Sequence, residues 1–366
     1  MTDGNSVEHL SVVMTTQTAD DVTQTTGANA DNTYTGVIGF YFQCAVVAIG
    51  VVGTVANAVI LYALVASKQH KKHVLIFYQN VLDFGSSLLL IITASVKLYY
   101  FHSKGSDGYW LCVLIRSEYL NWVVILASKI NLISVTIERC LKVVYSVWSK
   151  KKLRNWMTYL AMAFALISGF ANMTGTVFAT TNVIDGACYA YVFWKTLASL
   201  IAYRIFHFLY FYVVILIIFI FCYWRILVVI RRQARVMARH GSSTAQTHSQ
   251  EIQTNVIKTM IIVSAFFAIC DLPMNLHFLL TLVRDPALSR VNTVLYYASM
   301  FMSFLYICAN PFIYATKFDP VKRVLQSLIP CKMASVEPNE SIEVATHSTA
   351  AKRSGQAQNC QTDESV

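Results

Sequence analysis

The sequence predicts an all-α protein: a bundle of seven membrane-crossing helices followed by a short amphipathic eighth. The chain has 366 residues, 56% hydrophobic and only 13% charged, and a soluble domain of this length needs far more charge to cover its surface. Its apolar residues fall in seven long blocks rather than at amphipathic spacing. A helix needs roughly 20 apolar residues to cross the hydrocarbon core. The basic residues, finally, gather in alternate connections between the blocks.

The blocks cover 37–66, 74–100, 111–144, 157–180, 197–230, 256–282 and 294–315. Backbone polar groups have no water partner in lipid, so each block is expected to be helical. The organisation that follows is a disordered outer tail over 1–35, a helical domain over 36–316, an amphipathic helix over 317–332 and a disordered inner tail over 333–366. The first 67 residues contain no Lys or Arg, and Asp3, Glu8, Asp20, Asp21 and Asp31 make that tail acidic. With the tail outside, Lys68, Lys71 and Lys72 fall in the first inner loop and Lys150, Lys151, Lys152 and Arg154 in the second. Arg231, Arg232, Arg235 and Arg239 fall in the third, and Lys322, Arg323 and Lys332 follow the last block. This is the positive-inside asymmetry. The net charge of +10 is therefore a topology signal, and no nucleic-acid partner is needed to explain it. The N-terminus lacks a basic start and short apolar core, so the first block is expected to insert as its own anchor.

Nine cysteines are scattered singly, without zinc spacing. Cys44, Cys140, Cys222, Cys270 and Cys308 fall within blocks and read as packing residues. Cys112 and Cys188 both fall on the outer, oxidising side, where a disulfide between them is expected.

Several motifs then stand in a fixed order. Asn57 closes Gly-Thr-Val-Ala-Asn in the first block, and Asp83 ends Asn-Val-Leu-Asp in the second. The third block ends in Glu138-Arg139-Cys140. Tyr223 lies in the fifth, Phe267 and Cys270-Asp-Leu-Pro273 in the sixth, and Asn310-Pro311-Phe-Ile-Tyr314 in the seventh. Together, over about 36–331, these resemble the rhodopsin-like (class A) G-protein-coupled receptors, in a divergent, invertebrate-type and peptide-receptor-like form. The resemblance implies a plasma-membrane receptor, not an enzyme, that passes binding of an extracellular ligand to heterotrimeric G proteins. It implies that Arg139, held by a charge-assisted hydrogen bond that it donates to Glu138, is released on activation. Tyr223 and Tyr314 would then swing toward it, with Phe267, Pro273, Asn310 and Pro311 forming the hinge region. Snorkelling of Arg139 to the interface is the bland alternative.

The chain departs from the family pattern at several positions. Ile215 replaces the proline of the fifth block, Asp271 the tryptophan of the sixth, and Lys129 an apolar residue of the third. Trp156 lies too near the inner end to be the mid-membrane tryptophan of the fourth. Cys112 lies two residues further from Arg139 than usual, which predicts an irregular outer end of the third helix. Lone buried charges are costly, so Lys129 and Asp271, at similar depth on touching helices, are expected to pair. The other arrangement sends Lys129 to Asp83 and leaves Asp271 protonated. Asp83, Ser128 and Asn310 resemble the family's sodium site, but Tyr306 and Ile307 stand where its helix 7 ligands usually do, and the Lys129 ammonium would repel the ion.

Asn121 occupies the position of the amine receptors' aspartate, which argues against an amine ligand. Phe304 stands at the retinal-attachment position, so no retinal cofactor is expected. Tyr119, Asn121, His277 and Phe304 are the expected pocket residues, and Arg116, Glu118, Trp194, Arg204, His207 and Arg284 give the outer rim a mixed polar and aromatic character suited to a peptide or other polar ligand. The rival reading is an ion- or proton-coupled transporter using Lys129, Asp271 and Asp83. Against it, the blocks show no inverted repeat or broken helix pair. Cys331, beside Lys332, is a palmitoylation candidate at the membrane surface. The Ser/Thr-rich tail would recruit an arrestin-like partner once phosphorylated, and the terminal Glu364-Ser-Val366 could add a strand to a PDZ domain.

Overall fold

In lipid the unpaired backbone decides the architecture, and the protein satisfies it with helices. The computed structural model describes residues 25–103, 108–240, 244–280 and 289–328, with side chains described for 36–99, 108–149, 151–236, 254–280, 293–318 and 321–327. Helix α1 spans Thr25–Ala66 and α2 Val74–Ser103, separated by a 3-10 turn at Gln69–Lys71. The expected boundary at residue 35 is thus not the start of α1. No proline interrupts 25–36, and the helix runs on past its apolar part. The tail before Thr25, the third inner loop at 241–243, Arg284 and everything after Leu328, including Cys331 and the terminal motif, lie outside the described residues.

The third crossing starts irregularly, as the cysteine spacing predicts. A short helix at Tyr109–Leu111 passes into a π-turn at Cys112–Arg116, and Glu118 takes a left-handed conformation (φ 55°) before α3 begins at Tyr119 and runs to Val144. A short helix, Ser146–Lys152, occupies the next loop, and α4 spans Asn155–Thr180. Strands β1 (Asn182–Ile184) and β2 (Ala187–Tyr189) form an antiparallel hairpin in which Val183 opposes Cys188. Its Asp185-Gly186 turn has φ of 49° and 75°, the paired positive values that a tight two-residue hairpin turn needs. Cys188 on β2 is disulfide-bonded to Cys112, with Cα atoms 5.4 Å apart.

Helix α5 is helical over Leu197–Phe208, π-helical over Leu209–Val213 and helical again over Val214–His240. A capping box, Thr196 with Ser199, fixes its start. The proline that Ile215 replaces would have broken the ladder here; the π-turn widens the helix just ahead of it instead. Helices α6 (Thr244–Leu280) and α7 (Ser289–Lys317) each contain a proline, Pro273 and Pro311, which removes one intrahelical hydrogen bond. Helix α8 spans Asp319–Leu328 and is amphipathic, with Phe318 and Val321 buried and Lys322 and Arg323 exposed.

Among the described residues, seven helices are long and apolar enough to cross a membrane. Helix α3 packs against α2, α4, α5 and α6, and 67% of its apolar stretch is buried inside the bundle, against 22% for α4. At Gly169 of α4 a Cβ would come 2.5 Å from the Val123 carbonyl oxygen, so a glycine there lets α4 lie against the α3 backbone. Large apolar side chains such as Ile217, Ile220, Phe221 and Trp224 on α5 point outward, as a lipid-facing surface requires.

Candidate functional site

The bundle carries three connected features: a cavity toward the disulfide end, a charged core at mid-depth, and an arginine at the opposite, basic end.

The cavity has a volume of about 260 Å³. Trp122, Ile125, Leu126 and Lys129 of α3 form one wall, and Tyr191 and Trp194, which follow the hairpin, cover it. The Tyr191 hydroxyl donates to the Ser117 carbonyl (2.9 Å), and Trp194 Nε1 donates to the Tyr191 carbonyl (3.0 Å). Burial pushes the Tyr191 phenol well above its ordinary pKa, with the nearby Glu118 carboxylate adding to the shift, so it remains a donor. The opposite wall comes from Tyr203, Arg204 and His207 of α5, Asn275, His277 and Phe278 of α6, and Tyr296 of α7. Three buried polar atoms here have no protein partner: Asn275 Oδ1, His207 Nδ1 and His277 Nδ1. Such atoms cost free energy unless something satisfies them, and a bound ligand can.

Of the four expected pocket residues, only His277 lines this cavity. Asn121 turns to α2, where its Oδ1 accepts from Ser86 (2.8 Å). Tyr119 packs toward α4, with its hydroxyl 2.7 Å from Thr174 Oγ1. Phe304 is fully buried against Trp122, ring centroids 6.0 Å apart, and does not reach the cavity. The cavity lies toward α5 and α6, so α3 presents Trp122 rather than its neighbour. Glu118 is paired with Lys97 of α2.

At the cavity floor Lys129 Nζ donates to Asp271 Oδ1 at 2.7 Å, joining α3 to α6. Asn275 Nδ2 donates to the other carboxylate oxygen (2.8 Å), and the ammonium lies 5.8 Å from the centre of the Phe267 ring. Below, Asp83 is fully buried and does not receive Lys129. Its Oδ1 accepts from Ser128 (2.8 Å) and Gln79 (3.2 Å), and its Oδ2 from Asn310 (2.9 Å). Both oxygens thus accept hydrogen bonds from protein donors, while the buried Asn310 Oδ1 beside them has no protein partner. Gln79 also accepts from Asn131 (2.8 Å). Neither Gln79, Asn131 nor Asn275 stands in the motifs read from the sequence; the only signal was polar residues inside apolar blocks.

At the basic end the expected Glu138–Arg139 hydrogen bond is absent. Glu138 binds Lys142, one turn along α3, where i,i+4 spacing brings the two side chains together. Arg139 Nη2 instead donates to Nδ1 of His73, at the start of α2 (2.6 Å). That bond requires a neutral imidazole, and burial with the nearby Arg139, Lys142 and Lys72 charges lowers the His73 pKa to about 3. The Tyr223 hydroxyl joins three helices: it lies 3.1 Å from Thr136 Oγ1 on α3 and 2.7 Å from Ser264 Oγ on α6, and 3.2 Å from the Met260 carbonyl. Tyr314 is buried. Phe267 packs edge-on against Phe219 and Tyr306 (5.9 and 5.3 Å).

A seven-helix membrane bundle with a covered cavity at one end and a buried arginine at the other has the form of a transmembrane receptor. The comparisons agree, for the sequence model of the 7 transmembrane receptor (rhodopsin family) matches residues 56–314. The chain belongs to that family, whose members are receptors, not enzymes. It is 28% identical over 250 residues to melatonin receptor type 1A of Phodopus sungorus, covering 65% of this chain and 66% of that one. Over 278 residues, 74% of this chain, it is 23% identical to the neuromedin-K receptor of Oryctolagus cuniculus and 22% identical to the substance-P receptor of Cavia porcellus, covering 56% and 66% of those proteins. The matched stretch thus spans less than two thirds of each relative's own length.

Proposed function

We propose that the protein is a plasma-membrane receptor, N-terminus outside, that couples an extracellular ligand to heterotrimeric G proteins. The observation that carries this reading is the Lys129–Asp271 pair, which lies at the floor of the cavity and also ties α3 to α6. A ligand that meets Asn275 or the carboxylate changes the balance of that tie, and α6 must move against α3 for the basic end to open. Binding and opening then share one element, as a coupling free energy between two sites requires. The positive-inside pattern supports an orientation with Arg139 at the cytoplasmic side, where a G protein would meet it.

The ligand suited to this cavity is a small polar molecule, or the end of a peptide, with an aromatic or apolar body and an N–H donor. The aromatic walls take the body, and the unpartnered Asn275 Oδ1 and imidazole nitrogens take the polar end. The relatives are named for melatonin, neuromedin-K and substance-P. No aspartate on α3 lines the cavity, which keeps amines a poor match. We assign no sodium ion or retinal. Palmitoylation of Cys331, an arrestin on the phosphorylated tail and a PDZ partner complete the proposal. The transporter alternative has less support, because Lys129 and Asp83 are each satisfied within separate side-chain networks and the family is one of receptors.

A screen of neutral aromatic amides and short peptides, read as G-protein activation in cells, tests the reading. An active ligand should need at least about tenfold higher concentration on Asn275→Ala, since a buried hydrogen bond is lost. An unchanged half-maximal concentration at matched surface expression would place the ligand site elsewhere.

A further inference from the structure

His73 is fixed from several sides at the basic end of the bundle. It is the last residue before α2, where its N–H donates to the Gln69 carbonyl (2.9 Å) and its carbonyl accepts from Phe77 (3.0 Å). Both bonds pin the backbone, so only the two side-chain torsions remain to place the ring. That ring meets Phe318, at the junction of α7 and α8, with centroids 5.8 Å apart and planes at 72°. It also meets Arg139 of α3, whose Nη2 donates to Nδ1 at 2.6 Å. The imidazole therefore joins α3 to the α7–α8 junction.

The direction of the bond to Arg139 follows from its chemistry. A guanidinium carries only donors, so Nδ1 must accept and the ring proton sits on Nε2. Burial and the neighbouring cations keep the ring neutral. Among the described residues no carboxylate pairs with Arg139, because Glu138 is drawn to Lys142. Arg139 is only 9% exposed, and its Nε finds no acceptor. A buried charge is costly to leave unmet, which makes the His73 acceptor decisive for where this side chain rests.

We propose that His73 is the positioning residue that restrains Arg139, the role that the family resemblance gives to Glu138. Two consequences set it apart from an acidic partner. A neutral acceptor holds the guanidinium less strongly than a carboxylate would, because no second charge takes part. Release of Arg139 then breaks one hydrogen bond and no ion pair. The restraint is also anchored on α2 and on Phe318, so the α7–α8 junction bears on Arg139 directly rather than through α6. It is a property of the chain alone, and only its effect on nucleotide exchange rests on the proposed receptor function.

The full chain in nanodiscs, labelled with nitrogen-15 in its arginines, reports the restraint by nuclear magnetic resonance. The Arg139 side-chain N–H signals are identified by their loss in Arg139→Ala. His73→Phe keeps a ring against Phe318 and removes the acceptor, whereas His73→Asn keeps a neutral acceptor close to the position of Nδ1. Rotation about the Arg139 Nε–Cζ bond should be slow in wild type. It should be about tenfold faster or more in His73→Phe, as loss of a hydrogen bond to a charged group implies, and slow again in His73→Asn. Basal nucleotide exchange on a panel of heterotrimeric G proteins should rise about fivefold or more in His73→Phe, with His73→Asn restoring the wild-type rate to within about twofold. His73→Leu replaces His73→Phe if the latter unfolds at a lower temperature than wild type. Rotation as slow in His73→Phe as in wild type, or as fast in His73→Asn as in His73→Phe, overturns the restraint. Unchanged exchange in His73→Phe, on a panel to which the wild type couples, overturns it as well. Exchange absent from every form, with the guanidinium freed only in His73→Phe, upholds the restraint and removes the receptor reading instead.

Discussion

Lys129 and Asp271 have side chains only 6% and 4% exposed, so each is tolerable because the other is there. Removing one leaves the other buried and uncompensated, a loss of about 3–5 kcal/mol. Lys129→Met and Asp271→Asn should each lower the unfolding temperature of the purified protein, and the double variant should recover most of both losses. Losses that simply add in this double-mutant cycle would mean the residues do not act as a pair. The pairing was legible in the sequence because two charges of opposite sign replace ordinary family residues at one depth. The partner of Arg139 was not, because His73 lies 66 positions away and no motif marks it. Its pKa supplies a separate check. In the unfolded chain His73 takes a proton near pH 6.5, whereas in the fold it stays neutral down to about 3. Stability is therefore unaffected above about pH 6.5, falls as pH drops from there toward 3, and levels off below. His73→Gln should flatten part of the wild-type decline between about pH 6.5 and 4.5. Identical pH profiles for variant and wild type would contradict a buried neutral imidazole.

At the scale of elements, composition placed all seven helices, because a membrane span is an intrinsic property of an apolar block. What composition could not place were irregularities that depend on hydrogen-bond register. The missing proline at Ile215 was visible, yet nothing local announced the π-turn at Leu209–Val213. The π-turn and left-handed Glu118 ahead of α3 were expected only as irregularity, from the cysteine spacing. Successive helix positions point about 100° apart, so a cavity shifted toward α5 and α6 replaces Asn121 by Trp122, and three of the four expected pocket residues fell outside it. The disulfide tethers this outer end, joining positions 76 apart. In the chain-entropy description, a loop of that length constrains the unfolded chain by about 4–5 kcal/mol. Cys112→Ser and Cys188→Ser should each lower surface expression, and the double variant should do no further harm. Additive losses would show that the two cysteines contribute separately.

The whole molecule reads as two ends joined through α3 and α6. The cavity touches Lys129 and Asp271; the same helices meet again at Tyr223, which bonds to both Thr136 and Ser264. An α6 that moves away from α3 must break both ties. The family motifs made this plan readable in outline, because Asn310, Pro311, Tyr314, Phe267 and Arg139 lie in or beside the buried core that the family pattern implies. On the proposed function, the Lys129–Asp271 tie restrains a path ending at Arg139. Guanine-nucleotide exchange on a panel of heterotrimeric G proteins, with matched amounts of purified receptor in nanodiscs, measures it most directly. Exchange should rise above wild type in Lys129→Met, and adding Arg139→Ala to that variant should return it to the receptor-free level. Exchange that stays at the receptor-free level in Lys129→Met across the panel, or that survives Arg139→Ala, would contradict the account.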